Sequence, residues 1–122
     1  IIILGQSLGS VAASYLGANN RPKMVILQAA FYNMADWLLS IDPDADTSQL
    51  TFILSNDQTL PKIKSPVYLF HGDKDQAVSV NSAYKLQELF KKTDHLYILK
   101  NETHNDFSKN QEYLKYLDVL LK

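Results

Sequence analysis

The 122-residue sequence contains no cysteine, which excludes disulfides, a thiol nucleophile and a thiolate metal site. It has almost no excess charge. Twelve basic and thirteen acidic residues leave a net charge of −1, so nothing marks a surface for nucleic acid or another polyanion. Long apolar runs are missing too: the longest is only a few residues, and no stretch reads as a membrane-spanning helix. The length suits one domain, residues 1–122, able to bury a core of its own. Glycine is scarce, at four residues, which makes the place of each one informative. Two of them, Gly5 and Gly9, lie in the first ten residues.

Those ten residues organise the rest. Ile1 to Leu4 read as a strand buried on both faces, and Gly5-x-Ser7-x-Gly9 then turns the chain into a helix. A turn this tight brings the side chains two residues to either side of the serine into backbone, which calls for both glycines. It holds the Ser7 hydroxyl above the carboxyl end of the strand, and it leaves the Leu8 N–H free at the start of the helix to meet a developing oxyanion. This strand, sharp turn and helix are a nucleophile elbow.

Further along, Leu8, Val11, Ala12, Tyr15 and Leu16 recur at helical spacing, while Gly9, Ser10 and Ala13 allow close packing on a sheet. Met24–Gln28 reads as a second strand, with Ala29–Asn33 the loop leaving its end, and Met34–Ser40 as a short helix. The weakly periodic stretch from about 33 to 64 suits a small cap over a site. Val67–His71 is a third strand, Val80–Lys92 a helix with Ser79 as N-cap, Leu96–Leu99 a fourth strand, and about Lys109 to Leu121 a last helix. This alternation predicts an α/β fold: a mostly parallel four-stranded sheet flanked by helices. If the strands lie in chain order, the crossover helices share one face, and only the last helix reaches the other. One helix leaves part of that face and the edge at Ile1–Leu4 bare. A domain that opens on a buried strand is expected to extend before Ile1; otherwise two chains are expected to pair through the bare edge as a homodimer.

A serine hydroxyl needs a base to take its proton, and the base needs a partner to orient it. Asp75 follows the third strand and His104 the fourth, so both share the carboxyl ends of the strands with Ser7. Asp73 is the rival acid. His71 ends a strand and is expected to fix the turn, and His95 is expected to be solvated. Asp42, Asp44 and Asp46 have the spacing of a calcium loop, but Thr47 and Ile53 stand where glycine and glutamate are needed. A metal held by His71, Asp73, Asp75 and His104 would leave the elbow unexplained, so no metal and no cofactor is expected. Phe31 and Tyr32, with Met34 and Trp37, suit either an acyl pocket or plain core.

Gly5-Gln-Ser-Leu-Gly9, His71-Gly-Asp-Lys-Asp75 through Val78, and Asn101-Glu-Thr-His-Asn-Asp106 resemble, in order and spacing, three motif blocks of the α/β-hydrolase superfamily. The wording is most similar to the serine hydrolases around the protein depalmitoylases and the serine-aminopeptidase-like esterases. The resemblance covers only the second half of that fold, from the elbow strand to the final helix. The family's first four strands, and the loop that supplies a second oxyanion N–H, have no counterpart. Ser10 stands where many members have another glycine. The resemblance favours Asp75 over Asp73, which directly after Gly72 suits the turn. It implies a serine hydrolase cleaving a carboxylic ester or thioester, with peptides a further option: Ser7 as nucleophile, His104 as base, Asp75 as its partner, Leu8 N–H in the oxyanion hole, and Phe31 and Tyr32 toward the substrate. The partner would be a small or acylated substrate, with cytoplasm the default compartment. The alternative is a non-catalytic, hydrolase-like binding or interaction module.

Overall fold

The four apolar runs become strands β1 (Ile2–Gln6), β2 (Met24–Gln28), β3 (Val67–Gly72) and β4 (His95–Leu99) in a computed structural model that describes residues 1–48 and 55–122. They form one parallel sheet in spatial order β1-β2-β3-β4. β2 is buried along its whole length, as a run with no polar alternation requires. Between the strands lie α1 (Gly9–Asn19), α2 (Met34–Ile41), α3 (Asn56–Thr59), α4 (Val80–Gln87) and, after β4, α5 (Gln111–Leu120). The excursion expected over about 33–64 includes Gln49–Leu54, which lie outside the described residues; so does Ile53 of the acidic loop.

Pairing in chain order puts the crossover helices on one face. Ala13 of α1, Leu60 and Ile63 after α3, and Ala83 and Leu86 of α4 pack there with Val25, Leu27, Val67 and Leu69. The opposite face carries Met24, Ile26, Phe70 and Leu99 and receives Phe107 and Tyr113, the latter from α5. Beyond the reach of α5, Leu4 on β1 stays 50% exposed.

Four elements depart from the pattern read in the sequence. β1, read as buried on both faces, is buried only at Gly5, because no described strand lies beyond it. The side of α1 that meets the sheet is the small-residue side, Ser10, Ala13, Ser14 and Gly17; a Cβ on Gly17 would stand 2.7 Å from Val25 Cγ2. Its larger residues Leu8, Tyr15 and Leu16 point outward. α4 stops at Gln87, five residues early, because Leu89 N–H and Phe90 N–H bond three residues back, to Leu86 and Gln87 carbonyls, in tightening turns. The last helix is preceded by a 3₁₀ turn at Phe107–Lys109, and α5 then begins where Asn110 caps it by accepting from Tyr113 N–H.

Candidate active site

β1 runs straight into the sharp turn at Ser7. Ser7 has φ 54°, a left-handed conformation that costs a non-glycine residue of order 1 kcal/mol. Both of its flanking peptides are tied down: Ser7 N–H donates to Gln28 O at 2.8 Å, and Ser7 O accepts from Ser10 N–H at 3.0 Å. Gly5 is a steric necessity, since a Cβ there would lie 2.4 Å from Gly9 O and 2.6 Å from Ala13 Cβ. Gly9 is not. An added Cβ at Gly9 meets no atom within 4 Å, so the collision expected on both sides of the serine exists on one side only. Leu8 has helical angles just ahead of α1, where the first N–H groups of a helix have no intrahelical acceptor.

His104 comes from the loop after β4, and Gln6 Nε2 donates to its carbonyl at 3.2 Å, clamping that loop to the end of β1. Its Nε2 lies 3.0 Å from Ser7 Oγ and its Nδ1 2.7 Å from Asp75 Oδ2. A carboxylate only accepts, so the ring proton belongs on Nδ1, leaving Nε2 to accept the Ser7 hydroxyl proton. The Asp75 side chain is fully buried and His104 is 15% exposed. Asp75 Oδ1 accepts from the N–H groups of Ala77 and Val78, at 2.9 and 2.8 Å. Burial alone would raise the Asp75 pKa; hydrogen bonds from His71, Val78 N–H and His104 outweigh it and bring it down to about 2. His71, wholly buried, approaches Val78 O at 2.8 Å and Asp75 Oδ2 at 3.4 Å through Nε2, so it does hold the turn.

Asp73 points elsewhere. Its Oδ1 accepts from Asn101 N–H at 2.7 Å, tying the turn after β3 to the one after β4. Among the described residues, no group of three or more His, Asp or Glu is arranged to hold a metal ion. His95 is exposed but stacks on Tyr68, with ring centroids 5.6 Å apart.

Beside Ser7 opens a cavity of about 300 Å³ lined by Ser7, Leu8, Phe31, Met34, Trp37, Ala77 and Val78. Of the four residues the sequence offers for an acyl pocket, Phe31, Met34 and Trp37 line it. Tyr32, directly after Phe31, turns to the other side, where it packs on the core beneath the crossover helices with Lys85 over its ring. Trp37 Nε1 donates to Ala77 O at 2.9 Å, joining α2 to the loop that carries Asp75. Ala77 and Val78, two and three residues after Asp75, line the cavity as well, and that closeness to the acid is the signal in the sequence that marks them.

No protein-family profile matches the chain. It is 26% identical over 117 residues to human alpha/beta hydrolase domain-containing protein 17B, covering 96% of this chain and 40% of that protein. It is also 26% identical over 133 residues to uncharacterized protein R595 of Acanthamoeba polyphaga mimivirus, covering 93% and 45%. Among solved structures it superposes on the esterase domain of a Rhodothermus marinus protein with TM-score 0.69 and 19% identity, over 98% of this chain and 57% of that one. The chain thus spans less than half the length of these two curated relatives. Among the described residues, no helix is long and apolar enough to cross a membrane.

Proposed function

We propose that this chain, which carries part of an α/β-hydrolase superfamily fold, acts as a serine hydrolase on carboxylic esters or thioesters. The observation that carries the reading is the unbroken hydrogen-bonded line from Ser7 Oγ through the His104 ring to a buried Asp75 carboxylate. Ser7 Oγ attacks the acyl carbonyl as His104 Nε2 takes its proton. Asp75 keeps the ring in the Nδ1–H tautomer and stabilises the imidazolium. The Leu8 N–H receives the oxyanion, a contact typically worth about 3 kcal/mol. His104 then gives the proton to the departing alcohol or thiol, and water repeats the sequence on the acyl-enzyme. The apolar cavity bounded by Phe31, Met34, Trp37 and Val78 takes the acyl chain, with α2 as its cap. The reading leaves two covers for the free edge of β1: further strands ahead of Ile1, or a second copy of this chain.

Labelling with a fluorophosphonate probe tests the chemistry. The expected result is one adduct, mapped by mass spectrometry to Ser7, absent in Ser7→Ala and strongly reduced in His104→Ala. A folded chain that takes no adduct yet binds acyl compounds would be a binding module instead.

A further inference from the structure

Ser10, Ser14 and Asn56 are each 0% exposed, and the reaction outlined above uses none of them. Three buried polar side chains need partners, and here they serve one another. Asn56 Nδ2 donates to Ser10 Oγ and to Phe31 O, both at 2.9 Å, and Asn56 Oδ1 accepts from Ser14 Oγ at 2.7 Å. The Ser10 hydroxyl in turn donates to Ser7 O at 2.6 Å. With the Ser10 N–H at 3.0 Å, two donors therefore converge on the carbonyl of Ser7.

That carbonyl and the Leu8 N–H are opposite ends of one planar peptide unit. Fixing where the carbonyl points fixes where the N–H points, and donors on the oxygen polarise the unit and make the N–H a better donor. The restraint matters because the peptide follows a residue at φ 54°, a conformation that persists only where its surroundings enforce it. We propose that Ser10 and Asn56 are positioning residues that aim the Leu8 N–H at the developing oxyanion, so that α3 contributes to catalysis without touching substrate. The same Asn56 amide holds the carbonyl of Phe31, a cavity wall, and so sets acyl pocket and oxyanion donor in one frame. This inference rests on the serine-hydrolase reading.

The test compares two ends of one network in the full chain. Ser10→Ala removes the bond to Ser7 O, whereas Ser14→Ala removes a bond on the far side of Asn56. Fluorophosphonate labelling is measured with the saturation constant separated from the maximal rate, alongside thermal melts and the ¹⁵N shift of the Leu8 amide. Ser10→Ala is expected to lower the maximal rate about 10- to 100-fold with the saturation constant unchanged and the Leu8 amide shifted. Ser14→Ala is expected to lose stability while keeping its rate within about twofold. Should Ser10→Ala fail to fold, Ser10→Cys keeps the volume with a weak donor and is expected to slow labelling in the same way. Equal slowing in Ser10 and Ser14 variants, or none in the Ser10 variants, overturns the positioning role alone. A wild type that never labels overturns the hydrolase reading and this role with it.

Discussion

Asp75 divides its carboxylate between two tasks: Oδ1 closes the turn onto the Ala77 and Val78 amides, and Oδ2 faces His104. The consequences of Asp75→Asn are therefore mixed. The amide can still accept from the turn, but its NH₂ end or its weaker oxygen replaces the anion at His104, and the labelling rate is expected to fall by about 10³–10⁴-fold. Asp73→Asn, whose side chain accepts from Asn101 N–H away from His104, is expected to stay within a few-fold of wild type, measured in the same assay. The pH dependence follows from the sign of the shift. A carboxyl lowered from 3.8 to about 2 by folding stabilises the fold above its unfolded pKa, and that stabilisation is lost as pH falls from about 4 toward 2. Thermal melts are expected to show Asp75→Asn less stable than wild type at neutral pH and the gap closing over that acid range. Spacing alone could not separate Asp73 from Asp75, since both follow Gly72 within one turn. What separates them is the direction the turn gives each side chain, and this depends on which amides lie nearby.

At the scale of elements, α1 holds the sharpest contrast. Gly5→Ala drives a methyl into Gly9 O and Ala13 Cβ and is expected to cost about 1–3 kcal/mol. Gly9→Ala adds a methyl in open space at the first turn of the helix and is expected to gain about 0.5 kcal/mol; urea melts of the two variants check both signs. The strands were legible because β2 and β3 are runs without polar alternation, which only a sheet covered on both faces accepts. The end of α4 was not, because Leu89 and Phe90 continue its apolar stripe into the core while the backbone has already left the helix. α3 was invisible for another reason. Four residues are too few to show a period, and the information in Asn56 lies in partners 46 and 42 residues away.

The whole molecule is covered unevenly. Outside β1 the described residues place no neighbouring strand, and Ile1, Leu4, Tyr15 and Leu16 are 98, 50, 62 and 48% exposed around that edge. An unpaired strand with exposed apolar side chains beside it favours association. Size-exclusion chromatography with light scattering is expected to show the mass rising toward twice that of one chain as concentration increases. Leu16→Lys, at the rim of the groove formed by Ile1, Ile3 and Pro22, is expected to return it to one chain. A monomer at every concentration would remove the second copy as partner.

The strand order also sets a timetable. Ser7 leaves the first strand of the described sheet and His104, its proposed base, leaves the last, 97 residues later in the chain. At 5–20 residues per second, a ribosome makes the hydroxyl about 5–20 seconds before the imidazole proposed to activate it. Through that interval the nascent serine is an ordinary alcohol among the acyl compounds of the cell. On the serine-hydrolase proposal, reactivity arrives only when β4 docks and brings His104 to Ser7, so the chain would arm itself last.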